Sequence, residues 1–204
     1  MGAGLSRSGD TRRKHPRIIA NVGTNRVVCL SLIHFPYCME KKGETVLVYA
    51  RETLANFLVQ AKRQSYASQG DAASVPTLLH GSKQLEHQSG DYFYRDIYFG
   101  SIVFAGQEVV AFQKCPVWSM VYSGGLTLLN PSQEQVEQIY GFLRKALRLV
   151  NHTELYRGPK SFETGLFSYS NNYNGTIDNF RGHEVIELNN HMVYELHYSG
   201  GVLE

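Results

Sequence analysis

Between residues 51 and 64 the chain reads RETLANFLVQAKRQ, and Leu54, Phe57, Leu58 and Ala61 fall at the i, i+3, i+4, i+7 spacing that lines one face of a helix. A second run, PSQEQVEQIYGFLRKALRLV (131–150), has Pro131 near its start and Glu134 in its first turn. It sets Val136, Ile139, Tyr140, Leu143 and Leu147 inward. After the first helix the period changes to two. Residues 91–99, 108–113 and 117–122 alternate as strands, with Gly106 and residues 114–116 marking turns, and three further strands are predicted after the second helix. The segments 67–89 and 151–164 are long, polar and Gly- or Pro-bearing, so they read as loops, a length of loop that is often functional.

The two helix-plus-strand runs are copies. A shift of 76 residues lays FAGQEVVAFQKCPVWSMVYSGG (104–125) on FRGHEVIELNNHMVYELHYSGG (180–201), and nine of these 22 positions are identical, more than chance supplies. The identities include Phe104/Phe180, Gly106/Gly182, Glu108/Glu184 and the whole of YSGG. The expected fold is therefore α+β: a tandem duplication of an α-β-β-β unit with pseudo-twofold symmetry, antiparallel sheets and two helices, its repeats at about 51–126 and 131–203. Neither three-stranded sheet has partners enough to bury its apolar face alone. YSGG is expected to end the third strand of each copy, where two glycines permit a sharp exit or a close backbone approach.

Composition narrows the setting. The chain is 43% hydrophobic and 12% aromatic, values that support one sizeable core across 39–204. Cys29, Cys38 and Cys115 make neither a paired framework nor a C-x-x-C clip, which favours a reducing, cytoplasmic location. Residues 1–38 hold six Arg and Lys against Asp10 alone and are read as a flexible basic extension outside the fold. The start MGAGLS fits an N-myristoylation pattern at Gly2, so peripheral membrane attachment is one alternative location and organelle targeting another; a start at Met39 is a third reading. The net charge of +2 argues neither way about nucleic acid, and no direct nucleic-acid binding is expected.

The run GSKQLEHQSGDYFYRDIYFG…GQEVV…PVWSMVYSGG, followed by ALRLV…YRGP and VYELHYSGG, resembles an uncharacterised bacterial family, a domain of unknown function, over about residues 54–203. Members of that family occur alone or behind helix-turn-helix segments, and the resemblance implies a sensory or effector-binding module. No helix-turn-helix is recognisable before residue 54. The tandem arrangement is also similar in topology to the duplicated ligand-binding domains of gyrase-inhibitor-like effector proteins.

Strand parity then sorts the side chains. Tyr92, Tyr94, Asp96 and Tyr98 share a face, as do Phe167, Tyr169, Asn171 and Tyr173, while Trp118, Met120 and Tyr122 match Tyr194, Leu196 and Tyr198. Glu108 and Glu184 each head an apolar row. Eight of the 13 tyrosines fall on these faces, more hydroxyls than a core built for bulk would carry. Two readings stay open: a close-packed core, or a cleft near the pseudo-axis. The cleft would be lined by Tyr98, Trp118, Tyr122, Tyr173, Tyr194 and Tyr198, with Glu108 and Glu184 at its polar end and Arg157 of YRGP closing over an acidic group. The expected function is a non-enzymatic small-molecule (effector) binding module. A hydrolase or isomerase using Glu108 and Glu184 as acid and base is the alternative, and a protein-interaction scaffold, or a homodimer, a further one.

No cofactor or metal is expected. HEVIE (183–187) falls on a predicted strand and lacks the second histidine of the zinc-helix motif. His191 and His197, six apart on a strand, are separated by roughly 20 Å. Cys115 sits in a turn with no serine-elbow context, and there is no phosphate-cradling or dinucleotide loop.

Overall fold

The structure, a computed structural model, describes residues 50–65 and 75–203. The basic extension 1–38, Gly2 and Met39 lie outside the described residues. Helix α1 spans Arg51–Gln64 and α2 spans Gln133–Leu147. Eight strands follow the chain: β1 Lys83–Ser89, β2 Tyr92–Gly100, β3 Val103–Phe112, β4 Cys115–Leu126, β5 Ser161–Thr164, β6 Phe167–Thr176, β7 Asn179–Leu188 and β8 His191–Val202. All join one antiparallel sheet in the order β1-β2-β3-β4-β8-β7-β6-β5, so the fold is α+β.

Each helix is thus followed by four strands rather than three. The two extra strands, β1 (KQLEHQS) and β5 (SFET), lie in the segments expected to be loops, and both are sheet edges, where polar residues are the normal protection against unwanted pairing. Within β1, Gln84 and Leu85 are nonetheless buried. In β5, Phe162 stacks on Phe142 of α2 with centroids 5.4 Å apart.

Local chemistry sets the element ends. Ser132 and Gln135 form a capping box at the start of α2: the Ser132 hydroxyl accepts from the Gln135 N–H at 3.2 Å, and the Gln135 side chain accepts from the Ser132 N–H at 2.8 Å. The β3–β4 and β7–β8 hairpins turn through Gln113-Lys114 (φ 50° and 71°) and Asn189-Asn190 (φ 52° and 61°), the paired positive φ values of a two-residue hairpin turn. Gly106, expected to mark a turn, lies inside β3 opposite Tyr122, and a Cβ there would overlap the Tyr122 hydroxyl; Gly182 stands in the same relation to Tyr198. The two YSGG strings occupy the ends of β4 and β8, and their tyrosines, Tyr122 and Tyr198, are direct partners across the central strand pair.

Both helices pack on one face of the sheet. Phe57 of α1 stacks on Tyr92 at 5.0 Å and Phe142 of α2 on Phe167 at 4.9 Å, while Trp118 stacks on Phe180 at 5.7 Å beneath them. Leu54, Leu58, Met120, Ile139, Ile186 and Leu196 complete this buried layer, each worth roughly 1.5–3 kcal/mol in apolar transfer. No helix among the described residues is long and apolar enough to cross a membrane.

Candidate functional site

A cleft of about 770 Å³ lies between α2 and strands β1–β3. Its walls are apolar or aromatic: Leu85, Tyr98 and Phe104 on the sheet, and Tyr140 and Leu143 on the helix. Asp96, Tyr122 and Arg157 form its polar floor, each less than a tenth exposed. The helix contributes Arg144 and its C-cap Arg148, and the edge strand Lys83, whose ammonium lies 5.9 Å from the Tyr98 ring centroid, so the rim is cationic despite Glu137.

The floor belongs to a larger buried polar network. Tyr122 donates to Asp96 at 2.7 Å, and Asp96 stands directly across from Glu108 on β3. Glu108 is ion-paired to Lys62 of α1 at 2.6 Å with both side chains fully buried, and Lys62 also donates to the Tyr156 carbonyl. Beyond the central strands, Glu184 accepts from Arg157 (Nε 3.0 Å, Nη2 2.7 Å), from the Tyr194 hydroxyl at 2.7 Å and from the Tyr169 hydroxyl at 2.7 Å. Tyr198 donates to Asn171 at 2.7 Å, the position on β6 that matches Asp96 on β2. The Arg157 guanidinium reaches back over the Tyr122 ring at 5.7 Å and joins the two arrays.

These surroundings move the titrations. Burial, then repulsion from Glu108, raises the Asp96 carboxyl from 3.8 to about 7, against the opposing pull of Tyr122, Lys62 and Arg157. Burial lowers the Lys62 ammonium, an effect Glu108 partly counters. Burial and Asp96 push the Tyr122 phenol well above its ordinary value, so it remains a donor.

A family model described as a domain of unknown function, DUF5680, matches residues 96–203, which is 108 of the 204 residues. The chain belongs to this family. No curated protein and no solved structure matches it. The match begins at Asp96 itself, so it contains the cleft floor and both glutamates but neither α1 nor β1.

The DUF5680 domain brings some of the expected site residues together and separates others. Tyr98, Tyr122 and Arg157 line the cleft. Glu108, Trp118, Glu184 and Tyr194 are fully buried. The two glutamates sit on β3 and β7, three strand spacings across the sheet and four residues out of register, roughly 20 Å apart, and each has its own cation. Tyr173 lies away from the cleft, in a separate groove beside the start of α1 that Tyr156 also lines, and donates to the Thr153 carbonyl. Cys115 opens β4 and is partly buried.

Lys62, Lys83, Arg144 and Arg148 were not singled out from sequence. Lys62 carried a usable signal, because it lies four residues after Leu58 on the apolar stripe of α1. His183, the histidine of the HEVIE string, faces His197 across the β7–β8 ladder.

The Asp96 shift predicts a pH dependence. With its folded pKa raised, Asp96 weakens the fold above about pH 7; as the pH falls from about 7 toward 4 the folded chain takes up a proton that the unfolded chain does not, and this contribution favours folding. In Asp96→Asn the amide still accepts from Tyr122 and the charge is gone. Urea unfolding should show the variant gaining stability over the native protein at pH 8 by more than at pH 5. An equal difference at both values would mean that Asp96 ionises normally.

Proposed function

We propose that this DUF5680 domain is a small-molecule-binding module, built by duplication of a helix-plus-four-strand unit, whose ligand is an anion with an aromatic or apolar body. The duplication reading is supported by sheet bulges at Val110/Ala111 and Ile186/Glu187, by the matching positive-φ turns, and by the pairing of Tyr122 with Tyr198. The observation that carries the binding reading is the approximately 770 Å³ cleft, which combines aromatic walls and a cationic rim with a buried carboxylate, hydroxyl and guanidinium. At the corresponding place in the second half, Tyr156 stacks on Phe180 at 3.8 Å and Asn171 is hydrogen-bonded to the Gly158 carbonyl, so protein covers the inner positions and the groove left beside α1 lacks the buried carboxylate and guanidinium.

Native mass spectrometry of protein purified from cell extract, followed by thermal-shift titration with aromatic carboxylates and phosphate monoesters, tests the proposal. A retained acid, or a concentration-dependent rise in melting temperature, is expected. The Arg144→Ala/Arg148→Ala variant should weaken binding by about tenfold or more, as loss of charge-assisted hydrogen bonds does. No retained compound and no responding anion, or binding unchanged in that variant and in Tyr98→Ala, would overturn it.

Acid-base catalysis is a second reading. It is favoured by the Asp96 carboxyl titrating near neutrality beside Tyr122 in the cleft, rather than by Glu108 and Glu184, which are engaged separately. Turnover lost in Asp96→Asn, with binding retained, would select it.

A further inference from the structure

We propose that His183, Glu195 and His197, on the sheet face opposite the helices, bind a divalent transition-metal ion of the zinc type. The register of the last hairpin makes His183 and His197 direct partners, and Glu195, two residues before His197 on β8, shares their face. One ligand atom from each residue lies within 4.8 Å of the others, the only such His, Cys, Asp or Glu group among the described residues. The imidazoles stack at 4.2 Å with 9° between their planes, and His183 Nε2 lies 3.4 Å from a Glu195 carboxylate oxygen.

The donor set selects the ion. Two imidazole nitrogens and one carboxylate oxygen suit zinc and its first-row neighbours, whereas calcium and magnesium take oxygen ligands. Zinc–ligand bonds of about 2.0–2.2 Å require donor atoms about 3.3 Å apart in a tetrahedron, a modest side-chain adjustment from the present spacing. The frame for that adjustment is firm: β8 is hydrogen-bonded on both sides, to β4 and to β7. Three protein ligands leave a fourth position open, the pattern of zinc sites that hold water or substrate.

That position faces a groove of about 690 Å³ on the uncovered side of the sheet, also lined by Arg181, Asn172 and Ser199. Arg181, two residues before His183 on the same face, weakens the field for a bare cation and favours an anionic fourth ligand. The groove and the cleft under α2 are on opposite faces, so the metal proposal stands independently of the ligand proposal.

The test uses full-length protein freed of metal by chelation. Zinc is titrated in competition with a chromophoric chelator, and cobalt is followed by its visible d–d absorption. The expected result is about one zinc equivalent per chain and a cobalt spectrum of low coordination number, with zinc affinity falling about tenfold or more in each of His183→Ala and His197→Ala. His191→Ala, on the same strand but outside the cluster, should leave binding unchanged. His183 is only partly buried and His197 is exposed, so both variants should melt as the native protein does. Absence of the cobalt band, or zinc binding unaltered in both variants, would overturn the proposal and assign any bound metal elsewhere in the chain.

Discussion

Replacing Arg157 with alanine should lower the unfolding free energy by about 3–5 kcal/mol, the cost of leaving a buried charge without its partner. Arg157 and Glu184 have side-chain exposures of 5% and 0%, so water does not take over the lost contact. Glu184 would keep only the Tyr169 and Tyr194 hydroxyls, two neutral donors for a full carboxylate. Against a total of roughly 5–15 kcal/mol for a domain, this loss is a large fraction. Arg157→Lys should recover little, because one ammonium cannot reproduce two guanidinium N–H groups converging on one oxygen. Equilibrium urea unfolding decides it: a loss under about 1 kcal/mol, the value of an exposed pair, would show that the carboxylate is solvated.

The Lys62–Glu108 pair should behave differently when both members are changed. Lys62→Met alone is expected to cost about 3–5 kcal/mol by the same reasoning, since Glu108 is fully buried and Lys62 is its ion-pair partner at 2.6 Å. Lys62→Met with Glu108→Leu removes both desolvated charges and adds apolar volume beside Val110 and Met120, and should lie within about 1–2 kcal/mol of the native protein or above it. A double variant as unstable as Lys62→Met would mean that the Lys62 bond to the Tyr156 carbonyl, which ties α1 to the 150–160 loop, dominates instead. Glu184 offers no such exchange, because removing its carboxylate strands two tyrosine hydroxyls as well.

The contrast between these pairs explains how far sequence reasoning could reach. The helices were legible because Leu54, Leu58, Ile139 and Leu143 recur at helical spacing, and six strands because their residues alternate and the pattern recurs 75 to 76 positions on. β1 and β5 were not, because edge strands are selected against apolar regularity: Gln84 is buried, but in sequence it reads as loop. Asp96, Tyr98 and Tyr122 could be placed on one face by parity, and Arg157 by its loop motif. The rim cations could not, because nothing in the local pattern of α2 tells Arg144 and Arg148 that the first half of the sheet lies beside them. Glu108 and Glu184 were marked as carboxylates heading apolar rows, and both are fully buried. Their cations come from a helix and a loop distant in sequence, 46 residues away for Lys62 and 27 for Arg157, and that pairing is a tertiary fact.

The strand order also fixes where folding is slow. Six of the seven strand pairings link neighbours in the chain across two-residue turns, contacts that form locally, whereas β4–β8 must bring Tyr122 to Tyr198 across 76 residues. Each four-stranded half can therefore assemble early, and until the halves meet, β4 and β8 are both open edges with unpaired backbone groups. An open edge is a template for any complementary strand, and β4 of one chain offers β8 of another the same ladder that it offers its own. At this single seam, pairing between chains should compete with pairing within one chain as protein concentration rises during refolding.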